Sequence, residues 1–176
     1  YLKYKASRDG LGSSLVAIGR TPKKDPRKTF SQAKTYYGIS AIASFKGNRC
    51  EISFHDPLDE DTVKVGRHTY PLIADYTTPL AVLLTPARPE KLGPSRLLDP
   101  DKYAETARLS RLRPYEDSRI PILFVHGLLD TPATWVPMVN ALRTDPVIRK
   151  KYQIWSYSYP SGYPYPYSAS LLRKEL

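Results

Sequence analysis

The feature that most constrains the fold is a continuous apolar run, IPILFV, at residues 120–125. It has the length of a strand and no polar position, which is typical of a strand buried on both faces of a parallel sheet. After a His-Gly pair, apolar residues at helical spacing begin near Trp135, a second strand pattern begins at Tyr152, and another helix pattern begins near Ser168. This strand-helix-strand-helix order predicts an α/β fold that starts a parallel sheet.

Residues 39–118 predict a mostly β region, with a connector, ahead of that sheet. Alternating apolar residues flank a Gly-Asn pair at residue 47 and a Gly-Arg pair at residue 66, and glycine supplies the positive φ that hairpin turns require. The run PLAVLL is compatible with a short helix begun by Pro79, and equally with a buried strand. Cys50 lies in a strand pattern, where we expect a buried thiol that packs as a small apolar group.

The net charge of +10 is concentrated near the start of the chain. The first 50 residues hold 11 Lys and Arg against two acids, and the remainder holds 16 against 15. These residues predict a basic, poorly structured segment at 1–38, within which residues 21–34 hold five Lys and Arg against one acid. Their prolines and lack of periodicity favour a solvated loop over a nucleic-acid site. Contact of this loop with an anionic lipid or an envelope polymer stays an alternative.

The His-Gly turn has the properties of an oxyanion site. Acyl transfer from an ester passes through a tetrahedral oxyanion, which fixed backbone amides stabilise. Gly127 lets the chain turn sharply and lets a ligand approach the backbone. The N–H of the next residue, Leu128, would then point into the crevice at the carboxyl end of the strand.

Residues 120–176, with this strand, turn, tryptophan and helix, resemble the α/β-hydrolase superfamily, and in particular bacterial lipases and esterases with a β-rich N-terminal extension. Residues 60–118 resemble the same group only loosely. The resemblance implies that residues 119–176 begin an α/β-hydrolase parallel sheet and form an incomplete hydrolase domain. It implies a serine hydrolase that acts on a small or lipidic carboxylic ester through an acyl-serine, with Leu128 as an oxyanion donor and no metal or organic cofactor.

The nucleophile of such an enzyme is missing from the sequence, because no G-x-S-x-G elbow occurs in it. In the family, the serine is followed by the acid and then by the histidine, so all three are expected beyond Leu176 and the 176 residues alone are expected to be inactive. His126 is then a support for the turn that hydrogen-bonds nearby backbone, while His55 and His68 lie in hairpin strands. The acidic stretch at residues 54–61 reads as a solvated turn, since it lacks the spacing and glycine of a calcium loop.

Four side chains are candidates for contact with the substrate. Leu129 and Trp135 follow the turn and could line an acyl pocket, although Trp135 could instead anchor the following helix to the sheet. Tyr163 and Tyr165 come just after the second strand, at the end of a sheet where α/β proteins bind ligands.

The ends of the chain and its hydropathy leave localisation open. The sequence starts at Tyr1 and ends on an uncapped helical pattern, so we expect a fragment at both ends. No stretch approaches the roughly 18 apolar residues that cross a bilayer. A signal upstream would place the protein in a bacterial envelope or outside the cell. A different functional class is a non-catalytic binding module whose hydrolase portion is degenerate.

Overall fold

The structure is a computed structural model that describes residues 5–19, 35–85 and 89–176. Its strands are β1 Ser7–Arg8, β2 Ser13–Ile18, β3 Tyr36–Lys46, β4 Arg49–His55, β5 Thr62–Val65, β6 His68–Pro71, β7 Ala74–Asp75, β8 Arg108–Arg111, β9 Ile120–Val125 and β10 Tyr152–Ser158. Its α-helices are α1 Thr78–Leu84, α2 Pro89–Leu98, α3 Val136–Thr144, α4 Pro146–Lys151 and α5 Tyr165–Glu175, and 3-10 helices cover Asp101–Thr106 and Pro132–Trp135. Among the helices described, none has the length and apolar character needed to cross a membrane. The basic segment 21–34 lies outside the described residues.

The region before α1 consists of small antiparallel sheets. Strands β2, β3 and β4 form one sheet in that order, β5 pairs with β6, and β1 pairs with β7. Both predicted hairpins are confirmed, and each turns at a glycine with positive φ, 59° at Gly47 and 62° at Gly66. An L-residue with a side chain is disfavoured there, which explains why the glycines mark the turns.

The PLAVLL run forms a helix, α1, which resolves the alternative left open by its pattern. The carboxylate of Asp75, rather than a threonine hydroxyl, caps it: Oδ1 accepts the N–H groups of Thr77 at 3.0 Å and Thr78 at 2.9 Å. The helix buries Leu80, Leu83 and Leu84 in the main apolar core.

The prediction of a buried Cys50 is wrong. Cys50 is exposed, and Ile52 and Phe54, two and four residues further along β4, are 59% and 63% exposed. These residues do share one face of the strand, as their alternation predicts. That face has no covering layer among the described residues. The prediction fails because alternation shows which residues share a face, but not whether that face is packed.

The prediction of an α/β-hydrolase parallel sheet is also wrong. The described strands form mainly small antiparallel sheets, and the sheet that contains β9 has three strands in the order β8-β10-β9. In it, β10 runs antiparallel to β8, with Ser156 opposite Ser110, and parallel to β9, with Trp155 opposite Leu123. The pairing of β9 with β10 is the only parallel pair of strands within the ranges described.

Two local features account for this error. Strand β8 has the sequence RLSR, which carries no apolar run, so its pattern does not distinguish it from the connector. Strand β9 lies at an edge of the sheet, so its end residues Ile120 and Val125 are 59% and 41% exposed. The unbroken apolar run predicts that β9 is buried on both faces. Among the described residues, only part of β9 is covered in this way.

The crossover from β9 to β10 consists of the 3-10 helix Pro132–Trp135, α3 and α4. Pro146 begins α4, and Asp145 caps it by accepting the N–H groups of Val147 at 2.8 Å and Ile148 at 3.2 Å. Val136 and Val139 of α3 pack into the same core as α1 and the sheet. A parallel pair requires such a crossover, since a hairpin can join only antiparallel strands.

The acidic loop after β4 is exposed at Asp59, Glu60 and Asp61, as the sequence predicts, but two of these carboxylates also form ion pairs that the sequence did not indicate. Asp59 pairs with Arg113 at 3.0 Å and with Arg119, and Asp61 pairs with Arg149 at 2.8 Å and with Arg8. The three arginines that come after β8 have side chains only 6–9% exposed. These ion pairs attach the β-rich region to the three-stranded sheet of β8, β10 and β9, which we call the mixed sheet. A buried guanidinium needs such a partner.

The pKa of Asp61 indicates that its charged form stabilises the fold. Burial alone would raise this pKa, but the positive charges of Arg149 and Arg8 outweigh it and hold the pKa below its ordinary value. A depressed carboxyl pKa stabilises the native state fully above the unfolded value, near pH 4, and this contribution is lost as the pH falls through the native pKa.

We therefore expect Asp61→Asn to lower the free energy of unfolding at pH 7 by about 1–2 kcal/mol, a modest figure because the side chain of Asp61 is half exposed. Chemical denaturation at pH 7 and at pH 3 measures it, and the difference from the wild type should shrink at the lower pH. Glu51→Gln on exposed β4 is the matched control. Equal stability of both variants at pH 7 would contradict the role given to Asp61.

Candidate functional site

The candidate site lies where the two parallel strands end. Parallel strands have their carboxyl ends at the same edge of a sheet. The turn after β9, His126 to Leu129, therefore lies beside the segment that follows β10, Tyr159 to Gly162. Hydrogen bonds and a ring contact join the two segments, and each contact has a separate role.

The ring of His126 is the main link between them. It is 2% exposed, its Nε2 accepts the N–H of Tyr159 at 3.2 Å, and its Nδ1 lies 3.0 Å from the carbonyl oxygen of Gly127. Since Nε2 accepts, the proton is on Nδ1, which donates to that carbonyl. The Tyr159 hydroxyl donates to the carbonyl of His126 at 2.9 Å, and the two rings stack with centroids 4.4 Å apart. His126 thus holds both strand ends through backbone contacts, the supporting role expected from the sequence.

Burial also keeps His126 neutral. Desolvation is the largest effect on its pKa and lowers it below the ordinary value, and the nearby charge of Arg96 acts in the same direction. Hydrogen bonds with the backbone oppose these effects but do not outweigh them. Protonation of Nε2 would break the bond from Tyr159, so the lone pair of this ring is not available to a general base.

The strained residue of the turn is Leu129, not Gly127. Leu129 has φ 59°, a left-handed conformation that costs a residue with a side chain about 1–2 kcal/mol. Its N–H donates to Oγ of Ser161 at 3.2 Å, and Ser161 is 4% exposed. Gly127 begins the turn and its carbonyl accepts the N–H of Asp130, but it is not in the positive-φ range, so the left-handed position belongs to Leu129. A leucine held in this conformation by a buried hydroxyl marks a turn with one fixed geometry.

The N–H of Leu128 has no hydrogen-bond acceptor among the described residues. Leu128 is 55% exposed, and a Cβ placed on the neighbouring Gly127 would meet no atom within 4 Å. The glycine therefore contributes open space next to the backbone rather than conformational freedom. A donor amide in a fixed turn, beside open space, can donate a hydrogen bond to the oxygen of a ligand.

Ser161 and Gly162 are site residues that sequence reasoning missed. Ser161 fixes Leu129, and the N–H of Gly162 donates to the carbonyl of Arg96 at 3.2 Å. A Cβ on Gly162 would lie 2.3 Å from the carbonyl oxygen of Leu97, so only glycine lets α2 approach this closely. The Ser-Gly pair that follows the tyrosine-rich strand was the available signal, although its partners are distant in sequence.

The predicted substrate contacts divide into two groups. Trp135 packs on Phe124, with centroids 5.5 Å apart, and its Nε1 donates to the carbonyl of Val125 at 3.2 Å, so it anchors the crossover to β9. The hydroxyl of Tyr163 donates to Asp101 at 3.0 Å, and Tyr165 is 66% exposed at the start of α5. No hydrogen bond or ring contact joins either tyrosine to the turn among the residues described, whereas Leu129 belongs to the turn itself and is half exposed.

A Ser-His-Glu hydrogen-bond chain lies elsewhere, on the β-rich region. Oγ of Ser53 is 3.0 Å from Nε2 of His55, and Nδ1 of His55 is 2.8 Å from Oε2 of Glu60. This is the order of contacts in a serine hydrolase relay. However, Ser53 and Glu60 are exposed on β4 and its loop, where water screens the dipoles that activate a serine. We interpret the chain as a surface network that fixes the end of β4.

Comparisons with known proteins do not assign this chain to a family. No family model, curated protein or solved structure matches it. Its function is therefore inferred from the chemistry of the turn and from its sequence.

The contacts of His126 predict an unusual titration. We expect its imidazole to titrate below its ordinary pKa of about 6.5, because burial favours the neutral ring. We expect that neutral ring to carry its proton on Nδ1, because Nε2 accepts the N–H of Tyr159. Native stability should then fall as the pH drops below about 6.5, since the unfolded chain binds the proton more readily. Long-range ¹H-¹⁵N spectra of the His126 imidazole measure both properties. Titration of His126 above about 6.5 would show that the ring is not held as described.

Proposed function

We propose that the turn from His126 to Leu129 is half of the oxyanion hole of a serine hydrolase that acts on carboxylic esters through an acyl-serine. The observation that carries the proposal is the N–H of Leu128, which lacks an acceptor among the described residues and lies beside the open space at Gly127. Such an amide stabilises negative charge that develops on a carbonyl oxygen in the transition state.

The contacts around the turn support the proposal because they fix the donor in advance. His126 joins the turn to Tyr159, and Ser161 holds Leu129 in its left-handed conformation. A preorganised donor stabilises the oxyanion without reorganising during the reaction, which is the main advantage of an enzyme over water in acyl transfer. The strain at Leu129 fits this use, since strained residues persist where the surrounding contacts require one geometry.

Carboxylic esters are proposed as substrates for two reasons. The segment 120–176 resembles lipases and esterases, and the half-exposed side chains of Leu128 and Leu129 offer apolar surface beside the donor amide. An acyl chain can cover that surface when the carbonyl oxygen reaches the amide. The acyl-serine route requires no metal and no organic cofactor.

The attacking serine, its base and the acid are proposed to come from outside the 176 residues. The sequence has no G-x-S-x-G elbow. His126 cannot act as the base because both of its nitrogens are engaged with backbone groups. The exposed network of Ser53, His55 and Glu60 is not placed in the mechanism, since it lacks a water-excluded environment.

A non-catalytic binding module is the second candidate function. The apolar face of the β3-β4 hairpin favours it, because Phe45, Ile52 and Phe54 are 76%, 59% and 63% exposed. Apolar residues grouped on one exposed face mark contact surfaces more often than isolated ones do. Contact with an anionic surface through residues 21–34 belongs to the same candidate, but that segment lies outside the described residues.

The oxyanion role is tested by removing the amide hydrogen with Leu128→Pro and keeping it with Leu128→Ala. Leu128 is the second residue of the turn closed by the bond from the Asp130 N–H to the Gly127 carbonyl, a position at which proline is favoured. In the longest product of the gene that contains this chain, we expect Leu128→Pro to lower kcat for a p-nitrophenyl ester by about 10²–10³-fold, and Leu128→Ala to stay near the wild type. Thermal melts of both variants confirm that the fold is kept.

Fluorophosphonate labelling with mass spectrometry identifies the nucleophile in the same material. The proposal expects a labelled serine outside residues 1–176, and no labelled serine in the 176-residue chain alone. Labelling of Ser53 that is lost in Ser53→Ala would contradict this placement of the nucleophile. No labelled serine and no ester hydrolysis in the longer product would favour the binding module instead.

A further inference from the structure

A second candidate site is a cavity on one face of the mixed sheet. It has a volume of about 150 Å³, well above the roughly 15 Å³ that a single water requires. Leu83 and Leu84 of α1 form part of its wall, and Pro132 lines it from the crossover. Its polar lining residues come from α2, the 3-10 helix that follows it, β8 and β10, and they include Arg96, Thr106, Arg108, Ser110, Ser156 and Ser158.

Arg96 is the unusual residue of this cavity. It is 2% exposed, its Nη1 donates to Oγ of Ser158 at a long 3.3 Å, and its Nε has no hydrogen-bond partner. Among the described residues it forms no ion pair, whereas the buried arginines Arg113 and Arg149 each pair with carboxylates. A buried guanidinium without a counter-charge is costly to the fold, so a ligand that supplies the charge would be bound favourably.

The strand register brings hydroxyl donors to the same place. Ser156 and Ser158 are two residues apart on β10 and so lie on one face of the sheet, and Ser110 is the cross-strand neighbour of Ser156. Arg108, the neighbour of Ser158, adds a second guanidinium at the exposed rim. Two guanidinium groups and several hydroxyls form a set of donors suited to an oxyanion.

One acidic residue, Glu105, also lines the cavity, but it does not neutralise this charge. It is exposed on the 3-10 helix and forms no ion pair with Arg96 or Arg108 within the described part of the chain. The charged residues that line the cavity are therefore two arginines and one exposed glutamate, so its lining has a net positive charge.

We propose that this cavity binds a small oxyanionic group, a phosphate or a carboxylate, with Arg96 as its buried fork and the hydroxyls of Ser110, Ser156 and Ser158 as further donors. The site is independent of the proposed ester hydrolysis, since it uses neither Leu128 nor Gly127. The backbone of Arg96 is bonded to Gly162, next to Ser161, so a bound oxyanion would lie close to the segment that holds the Leu129 turn.

Calorimetric titration of the 176-residue chain with inorganic phosphate, glycerol phosphate and acetate, at constant ionic strength, tests the proposal. We expect saturable binding of at least one of the three, weakened about tenfold or more in Arg96→Met. Binding of both phosphates but not acetate would identify a phosphate group, and the reverse a carboxylate. Arg173→Met, at an exposed position of α5, removes the same charge and should leave the affinity unchanged.

Stability measurements separate ligand binding from a structural role of Arg96. In buffer without these anions, Arg96→Met should be at least as stable as the wild type, because it removes a buried charge that has no counter-charge. Ser156→Ala should fold normally and weaken binding several-fold. Equal affinity in the wild type and Arg96→Met, or no saturable binding of any of the three anions by the wild type, would overturn the proposal. So would a loss of affinity that is equally large in Arg173→Met.

Discussion

The parallel pairing of β9 with β10 is the interaction on which the candidate site depends. Its register runs from Ile120 opposite Tyr152 to Val125 opposite Tyr157, so both strands end at the same edge of the sheet. That alignment lets the ring of His126 reach the backbone of Tyr159 and lets Ser161 reach the N–H of Leu129. A shift of the register would separate these partners and leave a left-handed leucine without the contact that supports it.

Ion pairs connect the β-rich region to this sheet. Three largely buried arginines near the mixed sheet, Arg113, Arg119 and Arg149, pair with the acidic loop after β4, so the β-rich region is joined to the sheet by ion pairs. Arg96 differs from these three arginines, because the described residues give it a cavity with hydroxyl groups rather than a carboxylate. Proteins rarely keep a buried charge without a partner, and this contrast is the reason for assigning the cavity a ligand.

Local features of the fold could be predicted from the sequence, whereas its long-range pairing could not. The hairpins at Gly47 and Gly66 were predicted correctly because a turn requires a particular backbone conformation that glycine supplies. Strands β9 and β10 and the helices between them were also recognised from their apolar patterns. Strand β8 was missed because its charged sequence becomes a strand only by pairing with β10, and the fold class was wrong as a result.

Some features of the candidate site could likewise be predicted from the sequence, and others could not. The His-Gly turn and the supporting role of His126 could be read from a short segment, since neighbouring residues provide most of the geometry. Ser161, Gly162 and Arg96 could not, because their roles come from contacts between segments that are more than 30 residues apart. The ion pairs of the acidic loop could likewise not be predicted, because its arginine partners are distant in sequence.

The central claim is that the turn after β9 is rigid and yet presents a free amide at Leu128. Backbone ¹⁵N relaxation and amide hydrogen exchange of the 176-residue chain test both parts together. The account predicts order parameters near 0.85 from His126 to Leu129, with a protected N–H at Leu129 and an unprotected one at Leu128. Order parameters below about 0.6, or protection at Leu128 equal to that at Leu129, would contradict it.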